Sequence, residues 1–260
     1  MGYLDQGDLR IIQLKETRPP HALLQLPPVV GPLPQSSPPP AVSVPKEKAS
    51  STTNKTTAPP TAQSSHKLLP KPVYRNTDLE QKIANQKGET ELDLSRNSLT
   101  HKDMEIVAYY AIQENKTLTT LSLTSNQIGD KGAQYVSDAL RHNTTLTTLN
   151  LWGNQIGEKG AQYVSDALRH NTTLTTLNLS SNQIGDKGAQ YVSDALRHNT
   201  TLTTLDLSWN KIGDAGAQYV SDALRHNTTL TALNLQGNQI GEKGAQYLKS
   251  ARERNGNLKL

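Results

Sequence analysis

The chain of 260 residues contains no cysteine and no phenylalanine. Without cysteine there is no disulfide framework, no thiolate metal site and no cysteine nucleophile. Aromatic residues make up 4% of the chain and hydrophobic residues 34%. A core of this composition is not built around large rings and must rest on Leu, Ile, Val and Ala. No apolar run approaches the roughly 20 residues that a membrane-spanning helix needs. Residues 1–20 are polar and charged, unlike a secretory signal, and Gln6 stands where a myristoylation motif has Ser or Thr. The expectation is a soluble, cytoplasmic protein with no membrane partner.

Proline is absent after Pro72, and all 14 prolines lie between Pro19 and Pro72. Residues 1–77 carry 9 Lys/Arg and 4 Asp/Glu, whereas the remainder carries 18 and 19. The basic excess therefore belongs to the N-terminal part. Segments such as 38–40 (Pro-Pro-Pro) and 50–53 (Ser-Ser-Thr-Thr) have little apolar surface to offset their ordering entropy. Residues 1–76 are expected to be a disordered, proline-rich tail, with 9–14 and 23–26 as candidate docking segments. No two prolines are three apart, which argues against a PxxP ligand. The positive charges are too dispersed for convincing nucleic-acid binding.

After the tail the chain repeats. Leu118, Leu146, Leu174, Leu202, Leu230 and Leu258 are each 28 residues apart. The first five open the pattern L-x-x-L-x-L-x-x-N-x-I-G, as in Leu118, Leu121, Leu123, Asn126, Ile128 and Gly129. A degenerate copy of 29 residues begins at Glu89 and runs through Leu92, Leu94, Asn97 and Leu99. Residues 89–260 thus hold six units and a terminal stub, and 77–88 form a candidate capping helix, with Thr77-Asp78 as its cap and Gly88 as its stop.

Each unit has two periods. Leu121 and Leu123 alternate with Thr120 and Ser122, the mark of a short strand with one buried face. Residues 131–141 read as a helix capped by Asp130. Its wheel places Gly132, Ala133, Val136, Ala139 and Leu140 inward, and Gln134, Ser137, Asp138 and Arg141 outward. Gly132 is expected to let the helix approach the sheet. Parallel strands sit ~4.8 Å apart and packed helices ~8–10 Å apart. The mismatch is met by curvature, with strands on the concave side and helices on the convex side.

The Asn-bearing L-x-x-L-x-L-x-x-N unit and its Ile-Gly-Asp-Lys-Gly-Ala turn resemble the ribonuclease-inhibitor-like class of leucine-rich repeats. That class includes the repeat regions of NOD-like receptors and of Ran GTPase-activating proteins. The resemblance covers residues 89–260 and implies an α/β horseshoe solenoid that binds a protein on its concave face, without catalysis or cofactor. It stops at the repeats for NOD-like receptors, since no G-x-x-x-x-G-K-[ST] phosphate loop occurs. The alternative it offers is a GTPase-activating regulator of the Ran type, for which Arg96 is the one arginine on the strand face.

Several sets invite chemistry. Ser137, Asp138 and His142 look like pieces of a hydrolytic triad, but the set recurs in the next three units (at 165, 166, 170; at 193, 194, 198; at 221, 222, 226). An outer helix surface has no cleft in which to position an oxyanion, so the set reads as a solvated face. His142, His170, His198 and His226 are a whole repeat apart, too far to share one metal ion. Asn97, Asn126, Asn154, Asn182, Asn210 and Asn238 read as structural amides that satisfy buried backbone groups. Asn143, Asn171, Asn199 and Asn227, each followed by Thr-Thr, read as loop residues.

Recognition is expected where near-identical units differ, on the exposed strand positions. These are Thr120, Ser122, Thr124 and Ser125; Thr148, Asn150, Trp152 and Gly153; Thr176, Asn178, Ser180 and Ser181; Thr204, Asp206, Ser208 and Trp209; and Ala232, Asn234, Gln236 and Gly237. Both tryptophans of the chain belong to this set, about 10 Å apart over two strand steps. An exposed Trp on a polar sheet is a natural anchor for a protein partner. At the C-terminal end, residues 257–260 begin a seventh strand with Leu258 and Leu260 facing inward. An open strand edge of that kind predicts fraying or weak self-association.

Overall fold

The computed structural model describes residues 68–254 and Lys259. The expectations for residues 1–67, and for Leu258 and Leu260, lie outside the described residues. Helix α1 (Thr77–Asn85) is followed by six strands: β1 (Glu91–Asp93), β2 (Thr120–Ser122), β3 (Thr148–Asn150), β4 (Thr176–Asn178), β5 (Thr204–Asp206) and β6 (Ala232–Asn234). They form one parallel sheet in chain order. Between and after them come helices α2 (Asp103–Ile106), α3 (Gly129–Leu140), α4 (Glu158–Leu168), α5 (Gly185–Leu196), α6 (Asp214–Leu224) and α7 (Glu242–Arg254). This is a repeat solenoid: each unit pairs with the next in the sheet, and each helix packs on the next. A single unit could not bury either face by itself.

The core is aliphatic, as the composition demands. Leu121 and Leu123, Ile128, and the helix residues Ala133, Val136, Ala139 and Leu140 are buried, and the pattern repeats in the three units that follow. The first unit differs for a countable reason. Leu92 pairs in register with Leu121, 29 residues on, whereas Leu121 pairs with Leu149, 28 residues on. The extra residue is absorbed in the helix, where Val107–Gln113 winds as a π-helix and Glu114 N–H donates to the Tyr109 carbonyl at 2.9 Å. A single inserted residue produces this widened turn.

The N-terminal end is tied down more firmly than the sequence suggests. Residues 68–76, counted above with the tail, meet the first unit. The Gln113 amide grips Leu69 from both sides, accepting its N–H at 2.7 Å and donating to its carbonyl at 3.2 Å. The α1 cap is Asn76, one residue before the expected Thr77-Asp78; its side chain accepts the Leu79 N–H at 3.2 Å. Asn76 also donates to buried Asp103 at 2.7 Å.

Four expectations are corrected by contacts between units. Asp130 does not cap its own helix; its Oδ1 accepts the N–H groups of Gly157 and Gly160 at the start of α4, at 2.7 and 2.9 Å. Gly132 and its equivalents do not serve approach to their own unit alone, where a Cβ at Gly160 would meet Ile156 Cγ2; they also let the preceding helix come close. A Cβ at Gly160 would meet the Asp130 carboxylate and come within 3.3 Å of its Cα. Ser137, Ser165, Ser193 and Ser221 are buried, not outward. Ser221 Oγ donates to the Tyr247 carbonyl of the following helix at 2.8 Å. The asparagines of the Asn-Thr-Thr runs are buried as well. Asn171 Nδ2 donates to the Leu140 and Asn143 carbonyls of the preceding unit, while its Oδ1 accepts from Thr173 and Leu174 N–H. These residues form a second structural ladder rather than loop surface.

The first asparagine ladder behaves as expected. Asn182 Oδ1 accepts from Asn154 N–H and Ile156 N–H, and Nδ2 donates to the carbonyls of Leu151, Leu179 and Ser180. Asn97 departs from it. It is exposed, donates to the Ser95 carbonyl and accepts from Lys82.

Candidate functional site

The sheet register sorts the strand face into rows. Thr120, Thr148, Thr176, Thr204 and Ala232 form one, and Ser122, Asn150, Asn178, Asp206 and Asn234 the next. The second row is less free than the sequence suggests. Asn150 Oδ1 accepts the Trp152 N–H at 3.0 Å, and Asn178 Oδ1 accepts the Ser180 N–H at 2.9 Å. Asp206 and Asn234 do the same for Ser208 and Gln236 at 2.8 and 3.0 Å. Each side chain closes its own turn, a standard Asx arrangement. In the first unit Asp93 binds the Ser95 hydroxyl and N–H in this way, and those bonds hold its carboxyl below the usual range.

Closing the turn fixes which way each amide points. With Oδ1 engaged, Asn150 and Asn178 keep an Nδ2 that has no hydrogen-bond partner among the described residues. Asn234 Nδ2 reaches Asp206 Oδ2 at 3.2 Å.

The third row holds Thr124, Trp152, Ser180, Ser208 and Gln236. Ser180 and Ser208, expected on the surface, are only 3% and 6% exposed. Their hydroxyls turn back onto Asn178 and Asp206 at 2.8 and 2.6 Å. Small hydrogen-bonded side chains thus leave the row's exposure to Trp152 and Gln236, with Trp152 36% exposed.

The next position ends each strand in the left-handed region. Its φ is +55° at Arg96, +54° at Ser125 and Ser181, +67° at Gly153, +69° at Gly237 and +56° at Trp209. Here the N–H makes the last ladder bond, as Trp209 does to the Gln236 carbonyl at 2.8 Å, before the chain turns away. Glycine takes this conformation without strain. A bulky tryptophan does not, and such outliers cost of order 1–3 kcal/mol. Gly237 helps to seat the ring, because a Cβ there would overlap indole atoms Cδ2, Cε2 and Cε3 of Trp209. Even so, Trp209 is 62% exposed. One part of the indole rests on the next unit and the rest faces solvent.

Two features escaped sequence reasoning, the Gly237 seat and the oriented asparagine amides. The seat had a signal: glycine occupies the Trp209 column at 153 and 237, which marks a left-handed position. The other candidate chemistry falls apart in three dimensions. The triad's serine is buried, and Ser165 Oγ bonds the Ala161 carbonyl four residues back at 2.7 Å. Among the described residues no group of three or more His, Asp or Glu side chains is arranged to hold a metal ion. None of their helices is long and apolar enough to cross a membrane. A groove of about 1000 Å³ lies between α1 and residues 114–117, bordered by Tyr110. Among its charges, Arg75 pairs with Glu80 at 2.7 Å and Lys116 donates to the Gln113 carbonyl at 2.7 Å.

The Leucine Rich repeat family model matches residues 114–137, 142–165, 170–193, 198–221 and 226–249. These units are leucine-rich repeats. The matched segments begin at Glu114, directly after the π-helix. No curated protein sequence matches the chain. Among solved structures, the chain is similar to actin-binding site 2 of Leiomodin-1, at 21% identity and a TM-score of 0.49 over 70% of this chain and 91% of that one. It is also similar to the tropomodulin C-terminal domain of Caenorhabditis elegans, at 12% identity and a TM-score of 0.45 over 69% and 94%.

Proposed function

We propose that this leucine-rich-repeat protein is a non-catalytic scaffold that binds a protein partner on its strand face, with Trp209 and Trp152 as anchors. The observation that carries the reading is Trp209, a large aromatic held in a strained backbone conformation with most of its surface in water. Strain of that kind concentrates at functional positions, and tryptophan is enriched among residues that dominate binding energy. The row beside it supplies half-buried Asn side chains already ordered by their turns. Pre-ordering of that sort lowers the entropy lost on association.

Capture of a partner on the immobilised full chain tests the reading, comparing wild type with Trp152→Ala/Trp209→Ala and with Tyr219→Ala, which alters an exposed helix-face residue. The double variant should lose the partner while Tyr219→Ala retains it. The reverse pattern would move the site to the helix face.

A further inference from the structure

We infer that the strand face recognises a proline-rich segment of another polypeptide in the polyproline II conformation, with prolines three residues apart and a basic residue near them. This rests on the strand face being the recognition surface.

The first ground is hydrogen-bond polarity. Asn150 and Asn178 have spent their Oδ1 atoms on Trp152 and Ser180 N–H, so what they offer a ligand is Nδ2, a donor. The indole N–H groups of Trp152 and Trp209 are donors without acceptor capacity. A ligand that fits these positions must offer them acceptors. A polyproline II strand has no internal hydrogen bonds, so its carbonyls are free, and each proline lacks an N–H.

The second ground is spacing. Trp152 and Trp209 belong to units two strand steps apart and differ by one position along the strand, which puts their backbones about 10 Å apart. A polyproline II helix returns to the same face every three residues, about 9.3 Å along its axis. Prolines at i and i+3 therefore match the spacing of the two tryptophan backbones when the ligand crosses the strands.

The third ground is charge. The charged residue beside Trp209 in the second row is Asp206, whose Oδ2 meets only the neutral Asn234 amide at 3.2 Å. A lysine or arginine of the ligand complements it. The segment must come from another chain, because no two prolines of this sequence are three apart.

The experiment titrates the full chain with a synthetic peptide of repeated Pro-Pro-Lys, and with one of repeated Gly-Ser-Lys, by calorimetry and tryptophan emission. The inference predicts saturable binding and altered emission with the first peptide, and roughly tenfold weaker binding for Trp209→Ala. Gly-Ser-Lys should bind weakly or not at all. A double variant, Asn150→Asp/Asn178→Asp, keeps the Oδ1 atoms that close the turns, as Asp206 does, but removes the donors. It should weaken Pro-Pro-Lys binding despite its added negative charge. Tighter binding by this variant, or equal affinity for the two peptides, would show simple charge attraction and overturn the inference. If Pro-Pro-Lys fails to bind while the tryptophan double variant still loses its captured partner, the polyproline inference falls and the recognition surface stands. If neither effect is seen, both fall.

Discussion

The Asp130 carboxylate accepts the backbone N–H of Gly157 at 2.7 Å, capping a helix that belongs to the next repeat. Asp186 and Asp214 do the same for Gly213 and Gly241 at 2.6 and 2.8 Å. Where the residue at this position is Glu158 or His101, the following glycine behaves differently. Gly185 and Gly129 then sit at φ +63° and +58° and donate forward to the Asn210 and Asn154 carbonyls at 2.9 Å. Glu158 instead pairs with Lys187 at 3.5 Å. One methylene thus accompanies a change of turn. In the glutamate form the asparagine ladder is also poorer: Asn210 Oδ1 lies 3.4 Å from Ile184 N–H, against about 3.0 Å for its counterparts.

Exchanging the two acids should exchange the turns. Asp130→Ala should cost about 1–2 kcal/mol, the usual worth of a helix cap, read as a lower urea midpoint. Glu158→Asp should draw Gly185 into the extended form of Gly157, and raise the midpoint. A crystal structure of Glu158→Asp with Gly185 still at positive φ would show that the acid does not set the turn.

Asn182 should be among the residues least tolerant of change in the solenoid. Asn182→Ala would strand the Asn154 and Ile156 N–H groups in the interior and take one of two donors from each of the Leu151, Leu179 and Ser180 carbonyls. Each unsatisfied buried group costs about 1–3 kcal/mol, so a loss of about 3 kcal/mol or more is expected in urea unfolding. Asn97→Ala, at the exposed end of the ladder, should cost far less.

The seat under Trp209 has its own signature. Gly237→Ala adds both strain at φ +69° and a clash with the indole, whereas Gly185→Ala adds strain at φ +63° with nothing within 4 Å. Only Gly237→Ala should shift tryptophan emission to the red and increase quenching by acrylamide. Equal spectra for the two variants would mean that the ring does not rest there.

Stability at the N-terminal end should fall in acid through Asp103. Burial alone would raise its carboxyl, but hydrogen bonds from Thr100 N–H, the Asn76 amide, the Thr100 hydroxyl and the Tyr74 hydroxyl outweigh it and hold it below the usual value. Its contribution is therefore complete above the unfolded carboxyl value of about 3.9, and is lost as pH falls through the lower folded value. The gap in urea midpoint between wild type and Asp103→Asn should be widest near neutrality and close in acid. A gap independent of pH would contradict this.

The strand phase, the helix phase and the aliphatic core were legible from a 28-residue period, because leucine spacing alone dictates them. What the sequence misplaced shares one cause. Asn171, Asp130 and Gly132 were each judged against their own unit, while a partner that explains them or their equivalents lies in a neighbouring one, and Ser137 was set outward although it is buried. A helical wheel assigns two sides, but a helix in this array is covered by the sheet and by helices before and after it. Trp152 and Trp209 were legible as departures from the repeat. That Asn178 would be turned by its own turn, and Ser180 buried beside it, depends on backbone geometry that residue identity does not reveal.

Hydrogen exchange of the full chain, alone and with its captured partner, tests the recognition surface most directly. Protection should appear in 150–153, 178–181 and 206–210, with the helix segments 131–140 and 159–168 unchanged. Protection confined to the helices would contradict the account.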